Sequence, residues 1–209
     1  MDRYKETFET WNKVAKLYQD KFMDLDLYND TYKYFCDLIN KDNASVLDLG
    51  CGPGNILKQI NTINPTYKLS GIDVAPNMIE LAKTNLSKSV FEVLDVRQLN
   101  QHPFKYNAII AGFVIPYLTE AESFKLIENC KNQLLSKGKL YLSFVDGQIS
   151  QSGYISGSTG DRMYFNYHST QSIKAELKKQ NFSILKIVGV DYPKGNDIEI
   201  HTIIMAEIN

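Results

Sequence analysis

The chain has 209 residues, 44% hydrophobic and 22% charged, enough for one domain with a large core and typical of a globular protein. With 23 basic against 24 acidic residues its formal charge is −1, so nothing in the total points to nucleic acid or another polyanion as the main partner. Cys36, Cys51 and Cys130 are far apart with no CxxC pair, which argues against a zinc site or disulfide framework. The charged start Met1-Asp2-Arg3-Tyr4-Lys5-Glu6 and the lack of an apolar run of ~18 residues argue against a signal peptide or membrane span. The expectation is a soluble cytoplasmic protein, monomeric or homodimeric, with no membrane partner and no metal.

In chain order, residues 1–40 read as two helices. Trp11, Val14, Ala15, Tyr18 and Phe22 recur at spacings of three and four, as do Tyr28, Tyr32, Phe35 and Leu38 or Ile39, with a break near 24–26. From residue 45 strands alternate with helices. Strands are predicted over 45–49, 67–73, 90–96, 106–111 and 140–145. Asn55 starts one helix, and another covers 76–86 with Pro76 in its first turn. Thr119 with Glu122 forms a capping-box pattern for a helix lined by Phe124, Ile127, Cys130 and Leu134, which Gly138 is expected to stop. A Gly/Ser-rich stretch follows, then a helix over 173–180. A terminal hairpin pairs 182–190 with 202–208 around Pro193-Lys194-Gly195-Asn196. Repeated β-α units imply a mostly parallel sheet covered on both faces, with any ligand outside the C-terminal strand ends.

The most informative segment is Val46-Leu47-Asp48-Leu49-Gly50-Cys51-Gly52-Pro53-Gly54-Asn55. An apolar strand ends in an acid and opens into a glycine turn before a helix, where a ligand can lie against bare backbone. The spacing is G-x-G-x-G, whereas the dinucleotide fingerprint is G-x-G-x-x-G, and Asn55 stands at the sixth position. Asp48 could accept bonds from a cationic ligand group, directly or through water. Asp73, 19 positions past Gly54, ends the next strand and suits a grip on ribose hydroxyls. Asp95 ends the third strand, where it could accept from an adenine amine while the Val96 amide meets a ring nitrogen.

These segments, with Gly71-Ile72-Asp73, Met78-Ile79-Glu80-Leu81-Ala82 and Leu94-Asp95-Val96, resemble the class I S-adenosylmethionine-dependent methyltransferases. The likeness covers roughly 45–145. It implies a Rossmann-like, doubly wound α/β fold with a seven-stranded sheet of order 3-2-1-4-5-7-6, the last strand antiparallel, in one domain over 1–209. Residues 1–40 would form a helical cap, 41–209 the core and 147–168 a possible lid. It implies S-adenosylmethionine as cofactor and S-adenosylhomocysteine as product. Asp48, Gly50, Cys51, Gly52 and Gly54 would serve the methionine part, and Asp73 with Val74 the ribose. Met78, Asp95 and Val96 would serve the adenine, Ala111 and Gly112 the ammonium and sulfonium, and Tyr18 a cofactor contact from the cap. The family's amine methylases of adenine, cytosine or glutamine carry Asn/Asp-Pro-Pro-Tyr/Phe after strand four. This chain has Gly112-Phe113-Val114-Ile115-Pro116-Tyr117, which favours a small-molecule acceptor.

The acceptor side is less legible. Tyr4, Tyr18, Tyr117, Asp146, Tyr154, Tyr164, Tyr167 and His168 are candidates, and the catalytic choices among them are His168, Asp146 and Tyr117. His168 reads either as a general base or as a surface loop residue. Cys51 has no assignable His partner for nucleophilic work, Cys36 and Cys130 fall on apolar helix faces, and His102 and His201 read as structural. Displacement at a sulfonium methyl needs mainly positioning and exclusion of water, so a strong acid or base is not required. The competing readings are an S-adenosylmethionine-binding sensor or scaffold without catalysis, and an NAD-dependent oxidoreductase.

Overall fold

In the computed structural model, residues 3–157, 159–195 and 197–209 are described, so Met1, Asp2, Ser158 and Asn196, the last a residue of the expected hairpin turn, lie outside them. Helices α1 (Arg3–Phe22) and α2 (Asn29–Ile39) come first. There follow β1 (Ser45–Leu49), α3 (Asn55–Ile63), β2 (Lys68–Asp73), α4 (Pro76–Asn85), β3 (Val90–Val93) and β4 (Tyr106–Gly112). Then come α5 (Glu120–Gln133), β5 (Leu134–Val145), β6 (Gly153–Ser156), β7 (Arg162–Phe165), α6 (Thr170–Lys179), β8 (Phe182–Lys194) and β9 (Asp197–Ile208).

The main sheet has the order β3-β2-β1-β4-β5-β9-β8. Strands β1 to β5 pair in parallel, and β9 runs antiparallel to both neighbours. This is the expected topology. The two extra labels arise because β6 and β7 form a separate two-stranded sheet inside 147–168, the segment read as a possible lid, where no strands are predicted.

Alternation along the strands sends side chains to opposite faces, so a parallel sheet needs cover on both. On one face Leu47, Leu49, Ile109, Leu140, Leu142 and Phe144 pack with Leu126, Ile127 and Cys130 of α5 and Ile173 and Leu177 of α6. On the other, Val46, Ala108, Ile110, Tyr141, Ile203 and Met205 meet Phe35 and Cys36 of α2 and Leu57 and Ile60 of α3. Cys36 and Cys130 are therefore core residues, as their helical spacing indicated, and burial pushes the Cys36 thiol up to about 12.

Thr119 and Glu122 form the expected capping box, Thr119 Oγ1 accepting from Glu122 N at 3.2 Å and Glu122 Oε2 from Thr119 N at 2.9 Å. Gly138 does not stop α5, which ends at Gln133 and passes straight into β5. The residues beyond form an irregularity in the β4–β5 ladder, where Tyr106 pairs with Leu134 but Ala108 with Lys139. Lys137 there has φ of +60°, and a Cβ on Gly138 would lie 2.8 Å from the Leu135 carbonyl oxygen. The glycine serves that tight detour.

α1 is tied across the C-terminal side of the sheet from two directions. Asn77 of α4 donates its backbone N–H to Asn12 Oδ1 and its amide to the Asn12 carbonyl. Thr7 Oγ1 accepts from Tyr164 N at 3.1 Å, and Thr10 Oγ1 donates to the Arg162 carbonyl at 2.8 Å. Among the described residues no helix is long and apolar enough to cross a membrane.

Gly71 in β2 has no spare room: a Cβ there would lie 2.8 Å from Cys51 Sγ and from Phe91 Cε1. Gly71→Ala should lower unfolding stability by about 1–3 kcal/mol through overpacking. In urea denaturation the midpoint should fall with m unchanged, and an unmoved midpoint would contradict this packing.

Candidate functional site

The C-terminal ends of β1, β2, β4 and β5 open beneath α1 into a cavity of about 510 Å³. Its wall at the sheet is the turn after β1. Gly50, Gly52 and Gly54 have φ of +65°, +54° and +85°, values only glycine adopts without strain. A Cβ on Gly50 would strike Val114 Cγ2 at 2.9 Å, and one on Gly52 would point at Tyr18 Cε1, 3.6 Å away across the cleft. The turn is held from β2: Asp73 Oδ2 accepts from Gly52 N and Asp73 Oδ1 from Ala75 N, both at 2.9 Å. Both carboxylate oxygens keep a further lone pair for a ligand.

Directly behind the turn sits Asp48, fully buried, with neither carboxylate oxygen bonded to a protein group. Burial, aided by the nearby Asp73 charge, pushes its pKa well above the ordinary carboxylate range. Burial also raises that of Asp73, against the backbone bonds it receives. No Lys or Arg among the described residues pairs with either acid. Two buried acids thus sit together at the floor of a cleft with no cation among the described residues to balance them, a costly arrangement.

The cleft gathers most of the expected cofactor residues: Tyr18, Gly50, Cys51, Gly52, Asp73, Val74, Met78, Asp95, Val96 and Gly112 all line it. Three do not. Asp48 lies one layer below, so it can act through its field or a bridging water. Gly54 faces away, a Cβ there meeting Leu86 Cδ1 at 3.3 Å and Ala82 Cβ at 3.6 Å, which makes it a packing glycine against α4. Ala111 is fully buried in the core behind Gly112.

Asp95 has a resident partner that its strand-end position did not reveal. Its carboxylate accepts from Arg97 N at 2.9 Å, Nε at 2.9 Å and Nη2 at 2.6 Å. Arg97 in turn lies 4.0 Å above the Tyr4 ring and 3.5 Å from Glu122, so Asp95 anchors the start of α1 as well as lining the cleft. The Val96 amide opens a 3-10 turn (Val96–Gln101), where a first-turn N–H has no partner within the helix. The Cys51 thiol is buried, and desolvation together with Asp48 and Asp73 pushes its pKa far up, so it holds its proton and is no nucleophile.

On the acceptor side the catalytic candidates separate. Tyr117 lines the cavity, its ring edge-on to Trp11 at 5.5 Å and to Phe165 at 6.0 Å. Tyr167 also lines it, whereas Tyr4, Tyr154 and Tyr164 do not. His168 is neither a surface residue nor a cavity residue: it is 1% exposed, and its Nε2 lies 2.8 Å from the Ile115 carbonyl. Burial lowers its pKa, and it pins the segment after β4 to the chain before α6. Asp146 also turns away, accepting from Thr170 N at 2.6 Å at the start of α6.

What sequence reasoning missed comes from the terminal hairpin. Tyr192, Lys194, Glu199 and His201 line the same cavity, joined by Tyr28 from the start of α2. His201 pairs with Val145 across β5 and β9, so antiparallel register carries it to the strand end where the cavity opens. His102, by contrast, is structural, 5.7 Å from the Tyr106 ring and outside the cavity.

A methyltransferase-domain family profile matches residues 40–183. Among curated relatives, a malonyl-[acyl-carrier protein] O-methyltransferase of Acetivibrio thermocellus is 27% identical over 136 residues, 62% of this chain and 44% of its own length. A carboxy-S-adenosyl-L-methionine synthase of Campylobacter jejuni is 28% identical over 148 residues, 66% of this chain and 62% of its own. The chain thus spans only part of the curated relatives it matches. Among solved structures, the magnesium protoporphyrin IX methyltransferase of Synechocystis, crystallised with S-adenosylmethionine, superposes with a TM-score of 0.75 at 16% identity, over all of this chain and 98% of that one. The likeness places the same fold around the glycine turn described above. This chain belongs to the methyltransferase-domain family.

Proposed function

We propose that the protein transfers a methyl group from S-adenosylmethionine to a small-molecule acceptor. The observation that carries this reading is the pair of buried acids, Asp48 and Asp73, under a glycine turn with no protein cation to balance them. S-adenosylmethionine is a cation at its sulfonium and carries an ammonium group, so it complements that floor. The anionic pyrophosphate of a dinucleotide would lie against Asp48 and be repelled.

The residues fit the donor's parts in order. Asp48, beneath the turn, favours the cationic end. Asp73 offers its remaining lone pairs to ribose hydroxyls while its other bonds keep Gly52 in place. Met78, Val74 and the Val96 amide suit a flat purine. When bound, the donor supplies an electrophilic methyl carbon, and the protein's work is to orient the acceptor and exclude water. Aromatic faces suit a dispersed positive charge, and Tyr18, Phe113 and Tyr117 all stand at the cavity. Two features support a small acceptor: the cavity's modest volume of about 510 Å³, and the Gly112-Phe113-Val114-Ile115-Pro116-Tyr117 segment standing where amine methylases carry Asn/Asp-Pro-Pro-Tyr/Phe.

Ligand-dependent melting tests the donor. At ~100 times its dissociation constant, S-adenosylhomocysteine should add ~2.7 kcal/mol to unfolding, whereas NADH should add nothing. Stabilisation by NADH alone would refute the reading. Turnover of labelled methyl donor with small acceptors then separates an enzyme from a donor-binding scaffold.

Asp48→Asn removes a buried acid whose carboxylate has no hydrogen-bond partner. The ordinary carboxylate pKa is raised on folding, so the charged form costs stability as pH rises past that ordinary value. The variant should therefore melt higher than wild type at neutral pH without ligand, while binding S-adenosylmethionine about 10- to 100-fold more weakly. Equal affinity in the folded variant would remove Asp48 from donor binding. Asp73→Asn keeps one acceptor oxygen for the turn and should weaken S-adenosylhomocysteine, measured by calorimetry, by about tenfold or more. An unchanged dissociation constant would end its ribose role.

A further inference from the structure

Five polar side chains of the cavity lining meet in one cluster: Tyr28, Tyr192, Lys194, Glu199 and His201. His201 is 7% exposed, stacked on the Tyr192 ring at 4.6 Å and edge-on to Phe113 at 4.7 Å. Its Nδ1 lies 2.7 Å from the Tyr28 hydroxyl and its Nε2 lies 3.2 Å from Glu199 Oε2. The order of donors follows from the ends of this chain. Glu199 also pairs with Lys194, and although burial opposes ionisation, these partners hold its pKa below the ordinary value. An ionised carboxylate only accepts, so Nε2 carries the imidazole proton and Nδ1 is the acceptor for the Tyr28 hydroxyl. Tyr28 lines the cavity, and its hydroxyl, donating to Nδ1, keeps lone pairs that can accept a further hydrogen bond.

We infer that Tyr28, His201 and Glu199 form a proton relay that takes the proton of an acceptor hydroxyl, so that the acceptor is a flat phenol-like molecule methylated on oxygen. This rests on the donor reading above. The acceptor's oxygen lone pair forms the new O–C bond while the C–S bond breaks and its electron pair stays on sulfur. The acceptor's O–H bond breaks with its pair kept on oxygen. The proton passes to the Tyr28 oxygen, the phenol proton of Tyr28 passes to His201 Nδ1, and the imidazolium is balanced by Glu199. The sulfonium charge therefore ends on His201.

The site's other features agree. Burial, outweighing Glu199 and aided by Lys194, lowers the pKa of His201, so it rests neutral and ready to accept. Burial raises that of Tyr28, so the phenol keeps the proton it donates to Nδ1. The charged and titratable groups facing His201 are Tyr28 from α2, Tyr192 and Lys194 from β8 and Glu199 from its own strand, while Phe113 and Val145 face it without charge. Phe113, Tyr28, Tyr167 and Tyr192 give a flat ring several aromatic faces to lie against. Tyr28 is the catalytic residue in this scheme, and His201 and Glu199 are positioning residues that act through it.

The test uses the full chain with labelled S-adenosylmethionine and a panel of catechol, simple phenols, carboxylic acids, primary amines and thiols. Phenols should be methylated, with a rate that falls as pH drops through the lowered His201 pKa. Tyr28→Phe and His201→Gln should each cut kcat by about 100-fold. Both should flatten the acidic limb of the profile, with S-adenosylhomocysteine affinity unchanged. Nitrogen-15 NMR of the imidazole, which needs no turnover, should show a protonated Nε2 and an unprotonated Nδ1 in wild type. Wild type that binds S-adenosylhomocysteine yet methylates no phenol overturns the relay. So does preference for amines, thiols or carboxylates, an unchanged acidic limb in the variants, or the opposite tautomer. Failure of wild type to bind S-adenosylhomocysteine instead brings down the donor reading, and the relay with it.

Discussion

The site depends on two buried acids that no cation among the described residues balances. Asp48 lies in the buried part of β1 with no partner for its carboxylate, and Asp73 ends the neighbouring strand β2. Water would solvate these groups far better than the interior does, so their position costs stability. The rest of the local structure keeps them there. Asp73 is held by two backbone amides, the glycine turn curls over Asp48, and Gly71 lets Cys51 and Phe91 pack tightly beneath the turn. In the function proposed above, the cationic end of the methyl donor is the partner of these acids. Marginal stability at a binding site is the common cost of function, and here it has named residues.

The cover over this floor is built from separate parts of the chain that meet at α1. Arg97, held by Asp95, lies on Tyr4, and Glu122 of the α5 capping box accepts from the Tyr4 hydroxyl. Glu6 pairs with Arg162 of β7, and Thr7 and Thr10 bond the same strand. Helix, capping box and small hairpin therefore form one hydrogen-bonded lattice above the sheet. It places Trp11, Tyr18 and Tyr117 edge to face, 5.4 Å and 5.5 Å between centroids, over the mouth of the cleft.

Much of this was legible in the sequence because it is local. Strand, acid, glycine turn and helix follow one another within about a dozen residues, and a strand end is a fixed place in a parallel sheet. Asp73, Met78 and Val96 reach the cavity for that reason. The misreadings are of a different kind. Gly54 has the conformation expected of the motif, yet its face is set by α4, a tertiary contact that spacing does not carry. Asp95 looked free because Arg97, two residues on, reads as a solvated side chain until the 3-10 turn folds it back. His168 follows an aromatic run just before a helix, where it could be a surface loop residue, but the parallel bridge between Asp146 and His168 buries it under Ile115. His201 was passed over for the opposite reason. It reads as a structural hairpin residue, and only the register of β9 against β5, with Tyr28 arriving from 173 residues away, shows where it points.

The donor end and the acceptor end of the cavity therefore differ in how they are made: a short motif for the first, long-range packing for the second. The central claim concerns the first, and a crystal structure with S-adenosylhomocysteine bound tests it most directly. The account predicts the amino group over the glycine turn, bonded to Asp48 directly or through one water, and the ribose hydroxyls on Asp73. A ligand whose amino group faces solvent, with the Asp48 carboxylate still unpartnered beneath it, would contradict the account.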